Sequence, residues 1–175
     1  MVQKPLILAV ETSGRLGSVA IAIGEKILGE AAFSGPMRHS AELFPAINGL
    51  LEPFSRKPNE IDHIYISSGP GSFTGLRIAA TFAKTMNLAN AVKIVGVDTL
   101  DVIAANVSDY PNEQNTETEL KKIAAILDAK RNQFFIAVYK RNTSHETQNT
   151  KHRSWEKICP DSLMTASQFL DRFAG

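Results

Sequence analysis

Only one cysteine, Cys159, occurs in the 175 residues. That excludes a disulfide framework and a thiolate zinc site, and it fits a reducing compartment. Long apolar runs are missing as well. Leu6 to Val10 is halted at Glu11, too short for the apolar region of a signal peptide, and nothing later is long enough to span a bilayer. A cytoplasmic location without membrane attachment is the expectation. Histidine is scarce: of His39, His63, His145 and His152, no two are three to five residues apart. A His-x-x-x-His pair, which sets two imidazoles on one helix face around a metal, is therefore absent, and no metal site is expected. Neither sign of charge prevails, with 19 Lys and Arg against 18 Asp and Glu and a formal net charge of +1.

What is present is ordinary in amount and uneven in placement. Hydrophobic residues make up 43% and charged residues 21%, enough for one full domain or two small lobes with a real core. Residues 1–120 carry nine basic against thirteen acidic residues, and residues 121–175 carry ten against five. Such asymmetry can steer RNA or an acidic partner. Few aromatic side chains interleave with the basic pairs Lys121-Lys122, Lys130-Arg131 and Lys140-Arg141, so a solvated face is the simpler reading.

The densest local signal is Gly69-Pro70-Gly71-Ser72-Phe73-Thr74-Gly75-Leu76-Arg77. It follows the apolar Ile64-Tyr65-Ile66 and precedes a helical pattern, so it marks a strand-to-helix turn. Its glycines permit unusual backbone angles and close approach of another group, and free amides at the helix start would suit an anion. It is not a Walker loop, since no Gly-Lys-Ser/Thr closes it. The third glycine also comes one residue late for Gly-x-Gly-x-x-Gly. A tight turn that packs a helix onto a sheet accounts for it without any ligand.

Apolar periodicity orders the rest. Leu6 to Val10 reads as a buried strand, and Ser18 to Ile23 with Lys26 to Phe33 reads as a hairpin turning at Gly24-Glu25. A helix is expected from about Ser40 to Leu51, with Leu43, Ile47, Leu50 and Leu51 on one face. Pro45 should sit in its first turn or kink it. A second helix runs from about Thr74 to Asn90, followed by a strand over Lys93 to Val97 and a helix capped at Asp98-Thr99. Ser108 to Glu119 is polar and reads as a surface connection. Asn142 to Arg153 reads as a flexible loop. The pattern then restarts: Ile123 to Leu127 ends in Asp128 as Leu6 to Val10 ends in Glu11. In each copy the next strand's Val/Ile set begins eight residues after the acid, at Val19 and at Ile136. A further strand near Trp155 to Cys159 and a helix near Thr165 to Phe173 complete a weak internal duplication. The expected division is an N-terminal lobe over 1–108, a connecting loop over 109–121 and a partial second lobe over 122–175.

Two lobes that each open with strand, acid, turn and strand resemble the actin-like ATPase (ASKHA, RNase H-like) α/β fold, the second lobe here being incomplete. Ile7 to Ser13, Arg38-His39-Ser40-Ala41-Glu42-Leu43, Gly69 to Arg77, Val95-Gly96-Val97 with Thr99-Leu100, and Leu127 to Lys130 together resemble the TsaB (YeaZ) family. That family supplies the dimerisation subunit of the bacterial machinery for tRNA threonylcarbamoyladenosine. The match is dense over 6–108 and patchy over 122–140.

The resemblance implies a non-catalytic role. A TsaB-like chain would pair with a TsaD-like transferase, with a TsaE-like ATPase completing the set and tRNA reached through the complex. ATP and metal are expected on the partner subunits, with no cofactor on this chain. In isolation a homodimer is expected. The resemblance places partner-facing residues on the first two helices: His39, Leu43, Phe44 and Ile47 on one, Leu76, Ala79, Ala80 and Ala83 on the other. Phe44, Ala79 and Ala83 are singled out as surplus apolar surface. The glycine-loop residues Gly69, Gly71, Ser72, Thr74, Gly75 and Arg77 form its signature. Glu11 stands where ATP-using relatives carry an aspartate, and its longer side chain with no following lysine speaks against nucleotide chemistry. The alternatives are a glycoprotease-like peptidase and a nucleotide-binding actin-like domain. Ser13 and Ser72 lack a neighbouring histidine with an orienting acid, and Ser72 is not in Gly-x-Ser-x-Gly.

Overall fold

A computed structural model describes residues 4–107, 121–141 and 155–173. Most of the expected connection over 109–121 and the polar stretch over 142–153 lie outside the described residues. The chain divides into two units, Met1–Asp98 and Thr99–Gly175.

The first unit is one mixed sheet with two long helices. Strands β1 (Leu6–Glu11), β2 (Ser18–Ile23) and β3 (Lys26–Ala32) form an antiparallel meander, and β4 (His63–Gly69) and β5 (Lys93–Asp98) continue it in parallel, in the order β3-β2-β1-β4-β5. Register follows side-chain alternation. Leu8 pairs with Ile21 on one side and Ile64 on the other, while Val10 pairs with Val19 and Ile66, so one face of the sheet is a continuous aliphatic layer. Onto that layer pack α1 (His39–Leu51) and α2 (Phe73–Asn90), through Leu43, Ile47 and Leu51 from one and Ala79, Phe82 and Ala83 from the other. Each fully buried aliphatic side chain contributes about 1.5–3 kcal/mol by leaving water.

Pro45 lies inside α1, beyond its first turn. It cannot donate to the Ala41 carbonyl, but Ala41 is exposed and water can take that bond, so the helix continues. Ser72 caps α2 by accepting from the Gly75 amide at 3.3 Å, and Ala91 ends the helix in the left-handed conformation. Short 3₁₀ turns at Glu52–Phe54 and Pro58–Glu60 lead from α1 into β4.

In the second unit, α3 (Thr99–Asn106) packs on an antiparallel sheet of β6 (Lys122–Asp128), β7 (Phe134–Arg141) and β8 (Trp155–Met164), and α4 (Ala166–Phe173) follows. The order β6-β7-β8 repeats β1-β2-β3. Asp128 pairs with Phe134 at the mouth of its hairpin as Glu11 pairs with Ser18. β8 is longer than the expected Trp155 to Cys159. Register shifts opposite Ile136 and Val138 carry the strand past Pro160, which has no amide to give the ladder, and pairing resumes at Ser162 with Ile136. Tyr139 on β7 donates its hydroxyl to Asp101 of α3 at 2.7 Å, and the Lys157 ammonium of β8 reaches the same carboxylate oxygen at 2.7 Å. Burial, then the bond to Asp101, pushes the Tyr139 phenol well above its ordinary value of 10. Among the described residues no helix is long and apolar enough to cross a membrane.

Candidate functional site: a groove between two helices beside the glycine turn

The glycine turn is occupied by the protein itself. A Cβ on Gly75 would lie 1.8 Å from the Thr12 carbonyl oxygen, and one on Gly71 would lie 2.7 Å from that of Ser13. Both glycines are thus required so that the start of α2 can press against the turn leaving β1. Three contacts seal this junction. The Thr12 hydroxyl donates to the Gly75 carbonyl at 2.8 Å, the Ser72 amide donates to the Ser13 carbonyl at 2.6 Å, and the Ser72 hydroxyl accepts from the Gly75 amide. Two amides expected to suit an anion are therefore engaged internally.

Glu11 is used in the same way. Its carboxylate accepts from the Ser13 amide and from the Ser67 hydroxyl, tying the ends of β1 and β4 together. Ser13 and Ser67 are buried. His39 is buried against Phe33 with Nε2 at 3.1 Å from the Gly14 carbonyl, while its Nδ1 has no hydrogen-bond partner among the described residues. The imidazole secures the turn after β1, and among the described residues it bonds neither a candidate nucleophile nor a carboxylate. Among the described residues no three His, Cys, Asp or Glu side chains cluster so as to hold a metal.

The expected partner-facing residues separate on burial. His39, Leu43, Ile47, Ala79 and Ala83 are buried within the first unit. Ala79 at 1% and Ala83 at 0% exposure are not the surplus surface expected of them, because the small side chains let α2 approach the sheet. Leu76 and Ala80 are half-buried, and Phe44 is 59% exposed. Phe44 stands edge-on to Phe82, with ring centroids 5.5 Å apart.

Between α1 and α2 lies an open groove of about 520 Å³ lined by Ser40, Leu43, Phe44, Thr74, Arg77, Ile78, Thr81, Phe82, Thr85 and Met86. Apolar side chains dominate it. At the rim Arg77 lies over the ring of Phe73 at 5.4 Å, and Phe73 is 74% exposed. Leu88, further along α2, is 87% exposed. Apolar side chains left this exposed add little to the fold, and exposed apolar surface of this kind is typical of interaction sites. Of the signature residues, Gly71, Ser72 and Gly75 build the junction, whereas Thr74 and Arg77 reach the groove. Ile78, Phe82 and Met86 also line the groove, beyond the residues expected from the sequence. Their spacing of four is visible in the sequence, but it fits the sheet-facing stripe of α2 equally well.

This groove-and-turn arrangement sits in a chain whose residues 34–159 match the family model described as TsaD: tRNA N6-adenosine threonylcarbamoyltransferase. The chain belongs to this family, on its TsaB/YeaZ branch. Its relatives include the tRNA threonylcarbamoyladenosine biosynthesis protein TsaB of Bacillus subtilis (strain 168). That protein is 27% identical over 165 residues, which cover 94% of this chain and 64% of the relative. The TsaB of Escherichia coli (strain K12) is 26% identical over 136 residues, covering 78% of this chain and 55% of the relative. The chain thus spans less than two thirds of the length of either. Among solved structures, an uncharacterized Pseudomonas aeruginosa protein with similarity to peptidase YEAZ superposes with a TM-score of 0.74 at 22% identity, covering 92% of this chain and 67% of that one. The fold shared across the family is the actin-like one expected from the repeated strand–acid–turn–strand unit.

Proposed function

We propose that this chain is the accessory partner of a TsaD-like transferase in forming N6-threonylcarbamoyladenosine on tRNA, and that it performs no transfer itself. The observation that carries this reading is the apolar groove between α1 and α2, with Phe44 and Phe73 exposed beside it, in a chain whose relatives are TsaB proteins. An open groove between two helices accepts the helices of a partner by ridge-into-groove packing. The groups that would mark chemistry in an actin-like site are spent on structure: Glu11 clamps two strands, Ser72 caps α2 and His39 holds a turn. The chain then acts in the cytoplasm by presenting this face to the transferase, with a TsaE-like ATPase joining the assembly and tRNA bound through the complex. Without the transferase, two copies of the face bury one another.

The test is reconstitution from a TsaD-like transferase, a TsaE-like ATPase, threonylcarbamoyl-AMP synthase and tRNA, with and without the chain, the modified nucleoside being counted by mass spectrometry. Product that depends on the chain supports the reading. Product unchanged by the chain, with the transferase competent beside a known TsaB, overturns it.

A further inference from the structure

At the opposite end of the first unit's sheet from the glycine turn, where β4 and β5 begin, lies a second concavity of about 650 Å³. Its lining is polar, over a buried apolar base of Ile61 and Val92. Register sets His63 beside Lys93, the Cα partner of His63 on β5, while Lys4, just before β1, lines the same concavity with its aliphatic stem against Gly24.

The carboxylates in this concavity are already engaged. Glu60 accepts from Arg56 at 2.9 Å and from the Lys57 amide at 2.7 Å, and Asp62 accepts from the Leu6 amide at 2.7 Å. Lys4 and Lys93 make no ion pair with any described residue, and the side-chain amides of Asn59 and Asn90 have no hydrogen-bond partner among the described residues. The lysines are also not explained as complements to the C-terminal carbonyls of α2. Strand alternation puts Lys93 and His63 on the face opposite Ile64 and Ile66, whereas α2 packs on the Ile64 and Ile66 side. Lys4, Arg56 and Lys93 against Glu60 and Asp62 leave the concavity one positive charge in excess, and its two unpaired ammonium groups and two unpartnered amides over an apolar floor make it rich in donors.

We infer that this concavity binds a phosphate group, with Lys4 and Lys93 as the charged contacts and Asn59 and Asn90 as neutral donors. The phosphate is carried either by a small monoester or by an RNA backbone. The inference does not rest on the proposed partnership with a transferase, because the groove between α1 and α2 is a different surface.

Calorimetric titration of the full chain at low salt with inorganic phosphate, with AMP and with a single-stranded RNA tests it, alongside the Lys4→Gln/Lys93→Gln double variant and a Lys26→Gln control. All three lysines are exposed, so the fold should survive, and circular dichroism checks that. Saturable binding of phosphate or AMP that the double variant weakens by about tenfold or more supports the site and names a monoester. Binding of RNA alone names the backbone, with the salt slope falling by about 1 for each lysine removed. Absence of saturable binding by every probe, or binding that the double variant leaves equal to the control, overturns it.

Discussion

At the scale of single residues, the glycine turn is a problem of space. Gly75 admits no Cβ because the neighbour 1.8 Å away is a backbone oxygen that cannot rotate aside. Gly75→Ala should cost about 1–3 kcal/mol or more by overpacking, read as a lower urea midpoint. Gly49, whose Cβ would meet nothing within 4 Å, is the control: Gly49→Ala inside α1 should leave stability equal or higher. Thr12 is fully buried with its hydroxyl on the Gly75 carbonyl. Thr12→Val keeps the shape and removes one of the two donors to that carbonyl, which as part of α2 keeps its helical bond, so a loss of about 0.5–1.5 kcal/mol is expected. The glycines were legible in the sequence as a turn. That their neighbour is the turn after β1, more than fifty residues earlier, was not, because a sequence carries no record of what packs on a glycine.

At the scale of elements, α1 has two kinds of apolar residue side by side. Leu43 lies in the core and Phe44 is exposed beside it. Leu43→Ala should cost about 2–5 kcal/mol. Phe44→Asp should leave stability within about 1 kcal/mol while abolishing self-association in analytical ultracentrifugation and transferase binding in a pull-down. Unchanged association with that variant would remove the groove from the interface. The start of α1 also has a pH signature. The Ser34 hydroxyl and amide, and then Arg38, hold the Glu42 carboxyl below its ordinary value of 4.5. Because the folded value is the lower one, the stabilisation is complete above pH 4.5 and is lost as pH falls through the folded value. Glu42→Gln should therefore give a shallower decline of stability below pH 4.5 than the unaltered chain. In the second unit the sign reverses. The Tyr139 phenol is raised, so above pH 10 the unfolded chain ionises first and stability falls. Tyr139→Phe should remove that alkaline slope, measured by unfolding across pH 9 to 11.

For the whole molecule, the succession of strands and helices along the chain was nearly all determined by the sequence alone, while the order of strands within each sheet was not. Apolar runs with a period of two, turn residues between them and an acid at the end of each opening strand are local features, and local sterics act on them wherever they sit. The repeated unit was visible for the same reason, as were the two helices, expected from about Ser40 and Thr74 and found to begin one residue earlier in each case, at His39 and Phe73. Tertiary structure alone decided which side of each helix is spent on the sheet. On α2 the stripe through Ala79, Phe82 and Ala83 turned inward and left Ile78, Thr81 and Thr85 along the groove. Both stripes have helical spacing, so periodicity cannot choose between them. The choice falls to packing, since small side chains bring the helix closest to a sheet that is already lined with leucine, isoleucine and valine. It was likewise only the pairing of three strands that set Lys93 beside His63, thirty residues apart in the chain, and so made a concavity from charges that looked scattered in the sequence.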